Sequence, residues 1–248
     1  MSLRKTPQEL SILRTGGRFL AEVIAIASEA AKPGVVLRDL DALIAKEIIA
    51  RDSTPSFLKF QGFPANSCLS LNEQVVHGIP DGRVLKEGDI LGIDVGLWYQ
   101  KLCVDSAVTV PIGQVSKEAE RLLSITQKAL AKGISAVRPG RRVGSISYSV
   151  QSVAEAANLG IVRALTGHGV GHAIWEAPEI PNYGRTSDGM ILRPGMVLAI
   201  EPMFTLGKGE VLTEIDGWGI VTTDGSLAAQ FEHTVIVTEH GAEIITQV

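Results

Sequence analysis

Gly88-Asp89-Ile90-Leu91-Gly92-Ile93-Asp94 and Gly195-Met196-Val197-Leu198-Ala199-Ile200-Glu201 follow one pattern. Each runs from a glycine through an apolar strand to a carboxylate at the same relative position. A second carboxylate follows each, opening a similar β-run: Asp105-Ser106-Ala107-Val108-Thr109-Val110, and Glu232-His233-Thr234-Val235-Ile236-Val237. Four acids therefore end or start strands that otherwise read as core. A carboxylate in such a strand is expensive to bury without a partner. Any one of them alone reads as a solvent-facing residue on an alternating strand. Four in related positions point to a shared cation, and hard oxygen donors suit a divalent metal.

The surrounding chain repeats with them. Thr6-Pro7-Gln8-Glu9 reads as a helix start with a capping box, and Leu10, Leu13, Leu20, Val23, Ile24 and Ala27 follow at helical spacing. Pro33-Gly34 stops that helix. A second helix carries Leu37, Leu40, Leu43, Ile44, Ile48 and Ile49. After a turn over Ser53 to Ser56 come an aromatic run, a short strand near Cys68 to Leu71, the loop Asn72 to Pro80, and strands near Ile90 to Trp98 and Lys101 to Pro111. The order then restarts. Ser116 caps a long helix that ends at Pro139-Gly140, and another helix runs from about Ser145 to Ala157 with Gly160 just past its end. A histidine-bearing loop and acid-tipped strands close the second half.

Pro33-Gly34 and Pro139-Gly140 lie 106 residues apart, and Asp94 and Glu201 lie 107 apart. Asp105 and Glu232 are 127 apart, which implies about twenty extra residues between the last two strands of the second half. A repeat this long is neither solenoid nor propeller. It predicts an α+β fold in a single domain over 1–248, with halves of about 1–115 and 116–248 related by a pseudo-twofold and their sheets joined around a central site.

Composition excludes several alternatives. The 248 residues are 45% hydrophobic and 20% charged with net charge -4, which supports a large core and offers no basic stripe for nucleic acid. Two cysteines, Cys68 and Cys103, form no CxxC and suggest neither a zinc knuckle nor a disulfide framework. Met1 to Lys5 lacks the apolar core of a signal peptide, and charges interrupt every apolar stretch well short of 18 residues, so a cytoplasmic protein without membrane association is expected.

Five histidines remain to complete a site. His240 lies in a turn and reads as exposed. His233 follows Glu232 and alternation turns it to the opposite face, a structural role. His77 sits on the tight loop Val76-His77-Gly78-Ile79-Pro80. His168 lies in Gly167-His168-Gly169-Val170-Gly171, where glycines let backbone pack around an imidazole or serve as the donor loop of an esterase. No Gly-x-Ser-x-Gly elbow supports the esterase reading, and no His-Glu-x-x-His marks a zincin.

Five segments together resemble the methionine aminopeptidases of the short bacterial type, whose fold is the pita-bread fold, a curved antiparallel sheet flanked by helices. They are Asn72-Glu73-Gln74-Val75-Val76-His77-Gly78-Ile79-Pro80, Ile93-Asp94-Val95 with Asp105 eleven residues on, Thr166-Gly167-His168-Gly169-Val170-Gly171, Ile200-Glu201-Pro202-Met203, and Phe231-Glu232-His233-Thr234. The resemblance spans nearly the whole chain. It implies an enzyme that removes the N-terminal methionine of nascent proteins by attack of a metal-bridging water. It implies two divalent ions (Co, Mn, Fe or Zn), with Asp94 on one, His168 and Glu201 on the other, and Asp105 and Glu232 bridging. Glu201 would also act as the base, and His77 would contact the substrate amide nitrogen. Phe57, Phe60, Phe63, Cys68, Ile174 and Trp218 would line a pocket for the thioether side chain, which aromatic walls and a thiol suit. A monomer that meets the ribosome transiently is the expected form.

The resemblance fails at one place. The family carries a second histidine seven residues after His168, where this chain reads Trp175-Glu176-Ala177-Pro178. An indole is only an N–H donor. Loss of one electrostatic partner of a tetrahedral intermediate typically costs about 10²–10³ in turnover. Trp175 is also bulkier, which would narrow the entrance, and His172, three residues earlier, is a candidate to compensate, although the family often has other residues there. The alternatives are a weakly active or non-catalytic metal-binding relative, or a prolidase-like Xaa-Pro peptidase. Prolidases share the fold and ligands but carry an N-terminal domain for which 248 residues leave no room.

Overall fold

Thr6 opens the first helix. Its hydroxyl accepts the backbone N–H of Glu9, and the Glu9 carboxylate accepts the N–H of Thr6, so two otherwise orphaned donors are satisfied reciprocally. The computed structural model describes residues 3–247, with α1 at Pro7–Ala30, α2 at Leu37–Ile49, α3 at Lys117–Ala136 and α4 at Gly144–Ala156. The first two residues of the stretch read for a leader lie outside the described part. Ser116 caps α3 by accepting the N–H of Ala119. α4 ends one residue earlier than expected, and the left-handed residue after it is Asn158, not Gly160. Gly160 instead starts a short strand, where a Cβ would fall 2.3 Å from the carbonyl oxygen of Gly207.

The strands form two main antiparallel sheets. In the first, Ile90–Tyr99 is flanked by Cys68–Leu71 and Thr54–Pro55 and pairs along its length with Leu102–Pro111. The expected turn at Ser53 to Ser56 thus contains a two-residue edge strand, a position that tolerates the missing N–H of Pro55. In the second, the order is Ala242–Ile244, His233–Val237, Val197–Ile200, Thr166–Gly169, Glu176–Pro181. The extra residues of the second half form the hairpin Val211–Thr213 and Ile220–Thr222, which pairs with Gln74–Val76 of the first half.

Helices α1 and α2 cover the first sheet and α3 and α4 the second, each pair over its own apolar cluster. Leu13, Leu20, Leu37, Leu40, Ile44 and Ile48 are essentially inaccessible on one side, as are Leu122, Ile146 and Val150 on the other. Each such side chain contributes about 1.5–3 kcal/mol relative to exposure, so these apolar stripes and not helix propensity fix the helices to the sheets.

The two sheets meet at a seam. Glu232 donates its N–H to the Ala107 carbonyl at 2.7 Å, and Ser106 Oγ donates to the Glu232 carbonyl at 2.7 Å. Thr234 Oγ1 donates to the Asp105 carbonyl at 2.6 Å and accepts the Asp105 N–H at 3.1 Å. Thr109 Oγ1 bonds the Gln230 backbone in the same reciprocal way, at 2.7 and 3.0 Å. The seam makes one curved antiparallel layer, the pita-bread arrangement, and it brings the acids of both halves together. Among the described residues no helix is long and apolar enough to cross a membrane.

Candidate metal centre and substrate cavity

Strand register decides which side chains share a face. Asp94 lies opposite Ala107 and Asp105 opposite Gly96, so the two acids are diagonal neighbours on one face. Cys68 lies opposite Asp94 and joins that face. In the second sheet His168 lies opposite Ala199, and Glu201, two residues further, points the same way. Glu232 enters from the seam. Asp94 does not end a strand as expected. It is the fifth residue of Ile90–Tyr99, and Asp105 is likewise internal to Leu102–Pro111, whereas Glu201 directly follows Val197–Ile200. The apolar run continues past Asp94 through Val95 and Leu97, both fully buried, which keeps the hairpin paired beyond the acid.

Asp94, Asp105, His168, Glu201 and Glu232 are all buried and converge. Ligand atoms of Asp105, His168 and Glu232 lie within 4.8 Å of one another. His168 Nε2 is 3.6 Å from Glu201 Oε1 and 4.0 Å from Asp105 Oδ2. Its Nδ1 lies 2.9 Å from the Gly169 carbonyl, which can only accept. Nδ1 therefore carries the proton, and the Nε2 lone pair faces the acids, the orientation that a metal ligand requires. Burial holds the imidazolium form down to about pKa 4, so the ring is neutral at pH 7.

The acids are poorly served by protein. Asp94 Oδ1, Asp105 Oδ1 and Glu232 Oε1 are buried without a hydrogen-bond partner. Gln230 Nε2 donates to Glu201 Oε2 at 3.0 Å. Burial pushes the Asp94 carboxyl up to about 7. Burial and then the charge of neighbouring acids push Asp105, Glu201 and Glu232 well above the usual carboxylate range. Four buried carboxylates, three of them with an orphaned oxygen, and one imidazole lone pair lack positive charge, and their donor set fits divalent cations.

The cluster forms the floor of a cavity of about 520 Å³. Phe57, Phe60, Phe63, Cys68, Ile174, Trp218, Trp175 and His77 all line it. Phe63 meets Trp218 edge-on at 5.1 Å, and Phe60 meets Trp175 edge-on at 5.1 Å. Trp175 is 47% exposed, so it forms the rim and not the wall. His77 follows the strand Gln74–Val76 with a left-handed φ of 59°, and burial lowers its pKa, which favours the neutral ring.

Two histidines are accounted for elsewhere. His233 Nδ1 pairs with Thr246 Oγ1 at 2.9 Å, the structural role expected. His172 does not compensate for Trp175. Its ring is outside the cavity, with Nε2 2.6 Å from Glu9 Oε1 and Nδ1 3.2 Å from Lys5 Nζ. A carboxylate on α1 and a buried ammonium take both nitrogens. Gln230 escaped the sequence reading, although it lies two residues before Glu232 in an extended run and so on the same side. Glu176, which also borders the cavity, escaped it too.

Residues 11–239 match metallopeptidase family M24. The chain is 43% identical to methionine aminopeptidase 1 of Bacillus subtilis over 248 residues, all of both proteins. A crystal structure of methionine aminopeptidase from Thermotoga maritima superimposes with a TM-score of 0.97 at 40% identity, covering 98% of each chain. Prolidase from Pyrococcus furiosus, 22% identical with a TM-score of 0.82 and matched over 66% of its length, shares the fold.

Proposed function

Because the chain belongs to metallopeptidase family M24 and its metal use follows from that membership, we propose that it is a methionine aminopeptidase that removes the N-terminal methionine of nascent polypeptides. The observation that carries this is the cluster of orphaned acids on the floor of an aromatic cavity, in a chain 43% identical end to end to a protein of that name. Asp94, Asp105, His168, Glu201 and Glu232 would hold two divalent ions, Co, Mn, Fe or Zn. When bound they supply Lewis-acid polarisation of the scissile carbonyl and a water of lowered pKa.

The remaining steps belong to side chains. With the cations bound, Glu201 would be ionised and would take the proton of the attacking water on Oε1, while Gln230 holds Oε2. His77, neutral, presents an imidazole to the substrate amide nitrogen. Phe57, Phe60, Phe63, Cys68, Ile174 and Trp218 enclose the methionine side chain and exclude water from it. The acidic floor attracts the free α-ammonium group, so the enzyme reads an unblocked N-terminus. Trp175 at the rim offers only an N–H donor, and it favours a slower enzyme than one with histidine there. We place the reaction in the cytoplasm, carried out by a monomer of one domain with an internal pseudo-repeat, on chains still near the ribosome.

Hydrolysis of Met-Ala peptides with Co(II), Mn(II), Fe(II) or Zn(II), against Leu- and Pro-containing peptides, tests the proposal. Release of methionine is expected with at least one ion. Preferential cleavage of Xaa-Pro would favour the prolidase-like alternative, and metal binding with no hydrolysis would favour the non-catalytic one.

A further inference from the structure

Lys5 has a side chain only 1% exposed, yet it touches neither the cavity nor the acid cluster. Its Nζ donates to Glu176 Oε2 at 2.6 Å and approaches His172 Nδ1 at 3.2 Å. An ammonium has no lone pair, so Nδ1 accepts and the ring proton sits on Nε2, directed at Glu9 Oε1. Glu176 Oε1 accepts the backbone N–H groups of both His172 and Ala173. One carboxylate thus pinches the turn from His172 to Glu176, and one ammonium fixes that carboxylate. Gly171 leaves the room: a Cβ there would fall 2.4 Å from Lys5 Cε. The lysine is itself anchored, its N–H bonded to the Gly195 carbonyl at 2.7 Å and its neighbour Thr6 capping α1.

A buried ion pair is a poor route to stability, because desolvating both charges offsets most of their attraction, and an apolar pair of similar volume often does as well. What the pair does supply is geometry. The pinched turn carries Ile174 and Trp175, and both line the cavity together with Glu176. We infer that Lys5 is a positioning residue, whose ammonium, through Glu176, holds the His172–Glu176 turn where Ile174 and Trp175 meet the substrate. The kinetic part of this inference rests on the proposed peptidase reaction; the placement of Trp175 does not.

The test uses the full chain loaded with Mn(II), with Lys5→Met, Glu176→Gln and the double variant. Loss of the pair loosens the turn, so KM for Met-Ala peptides rises about tenfold while kcat stays within about threefold. The double variant is no worse than the worse single one, because the two residues act as one unit. Acrylamide quenching of tryptophan emission increases in Lys5→Met, and the increase disappears when Trp175→Phe is added. Unchanged KM and unchanged quenching in both single variants, with only a lower Tm, would overturn the inference and leave Lys5 a structural residue. If Lys5→Met does not fold, Glu176→Gln decides alone, since its amide oxygen still accepts the two backbone N–H groups while its NH2 faces the ammonium. If the parent hydrolyses no peptide, the proposed reaction fails and the quenching comparison still decides the positioning role.

Discussion

His168 Nε2 stands 3.6 Å from Glu201 Oε1, with its own proton committed on the other side of the ring to the Gly169 carbonyl. A lone pair and a carboxylate oxygen facing each other do not attract. The pair is held by the strands on either side, Thr166–Gly169 and Val197–Ile200, and gains favourable energy only when a proton or a cation stands between the two atoms. The same holds across the seam for Asp105 and Glu232. The fold thus sets the cluster against its own electrostatics, which is the mark of a site built for a ligand.

Asp105→Ala is therefore expected to have opposite effects in two states. Metal-free, it removes one of four buried carboxylates and raises Tm. In the presence of divalent ions it lowers metal content and reduces hydrolysis by more than the roughly 10–100-fold that loss of a supporting residue costs. Elemental analysis, thermal melts with and without metal, and peptide hydrolysis read the three effects. Retained metal and activity would show the ligand assignment to be wrong.

Metal affinity should increase with pH. The Asp94 carboxyl, pushed up to about 7 by burial, keeps in the folded state a proton that the unfolded chain releases near pH 4. Between those values the native state binds more protons than the unfolded one, so this group's contribution to metal-free stability falls as pH rises. A divalent ion displaces that proton, so the metal-induced rise in Tm grows from pH 5.5 to 7.5 and binding releases protons into the buffer. His168, with its pKa near 4, adds little in this window. A metal-induced shift independent of pH would place the ions elsewhere.

The acids were legible because strands alternate and because two β-runs of the sequence follow one pattern. Asp94 with Glu201, and Asp105 with Glu232, stand at corresponding points of two similar β-runs, and a carboxylate in such a run breaks a rule that only a partner can mend. The aromatic walls and the roles of both cavity histidines entered through the family resemblance, and all of these residues border the cavity. The Lys5–His172–Glu9 relay was illegible. Lys5 and Glu9 are 167 and 163 residues from His172 in sequence, and neither carries a periodic signal of the kind that marked the acids. Only the packing of the N-terminal segment against the turn reveals it.

Trp175→His should raise turnover of Met-Ala peptides about three- to tenfold, since the imidazole can exchange a proton where the indole cannot. The rim position is nearly half exposed, so the change costs little beyond the edge contacts with Phe60 and, at 6.4 Å, His168, about 0.5–1.5 kcal/mol each. An unaltered kcat beside a normally active parent would show that position 175 has no part in the chemistry.

Thr234→Val tests the seam. Thr234 Oγ1 is the side-chain partner of both the N–H and the carbonyl of Asp105, at 3.1 and 2.6 Å, and it is fully buried. Valine keeps the shape and leaves both Asp105 groups without that partner, at a cost of about 2–3 kcal/mol. For a chain of this size that is a fall in Tm of about 5–10 °C. Because the same strand segment carries Asp105 into the cluster, metal affinity should fall with it, whereas a change confined to the outer core would leave affinity intact. Thr234→Ser restores the hydroxyl and should recover most of both losses. A valine variant with unchanged Tm would mean that the Ala107–Glu232 backbone pair alone holds the halves together, and that the threonine contributes no more than its volume.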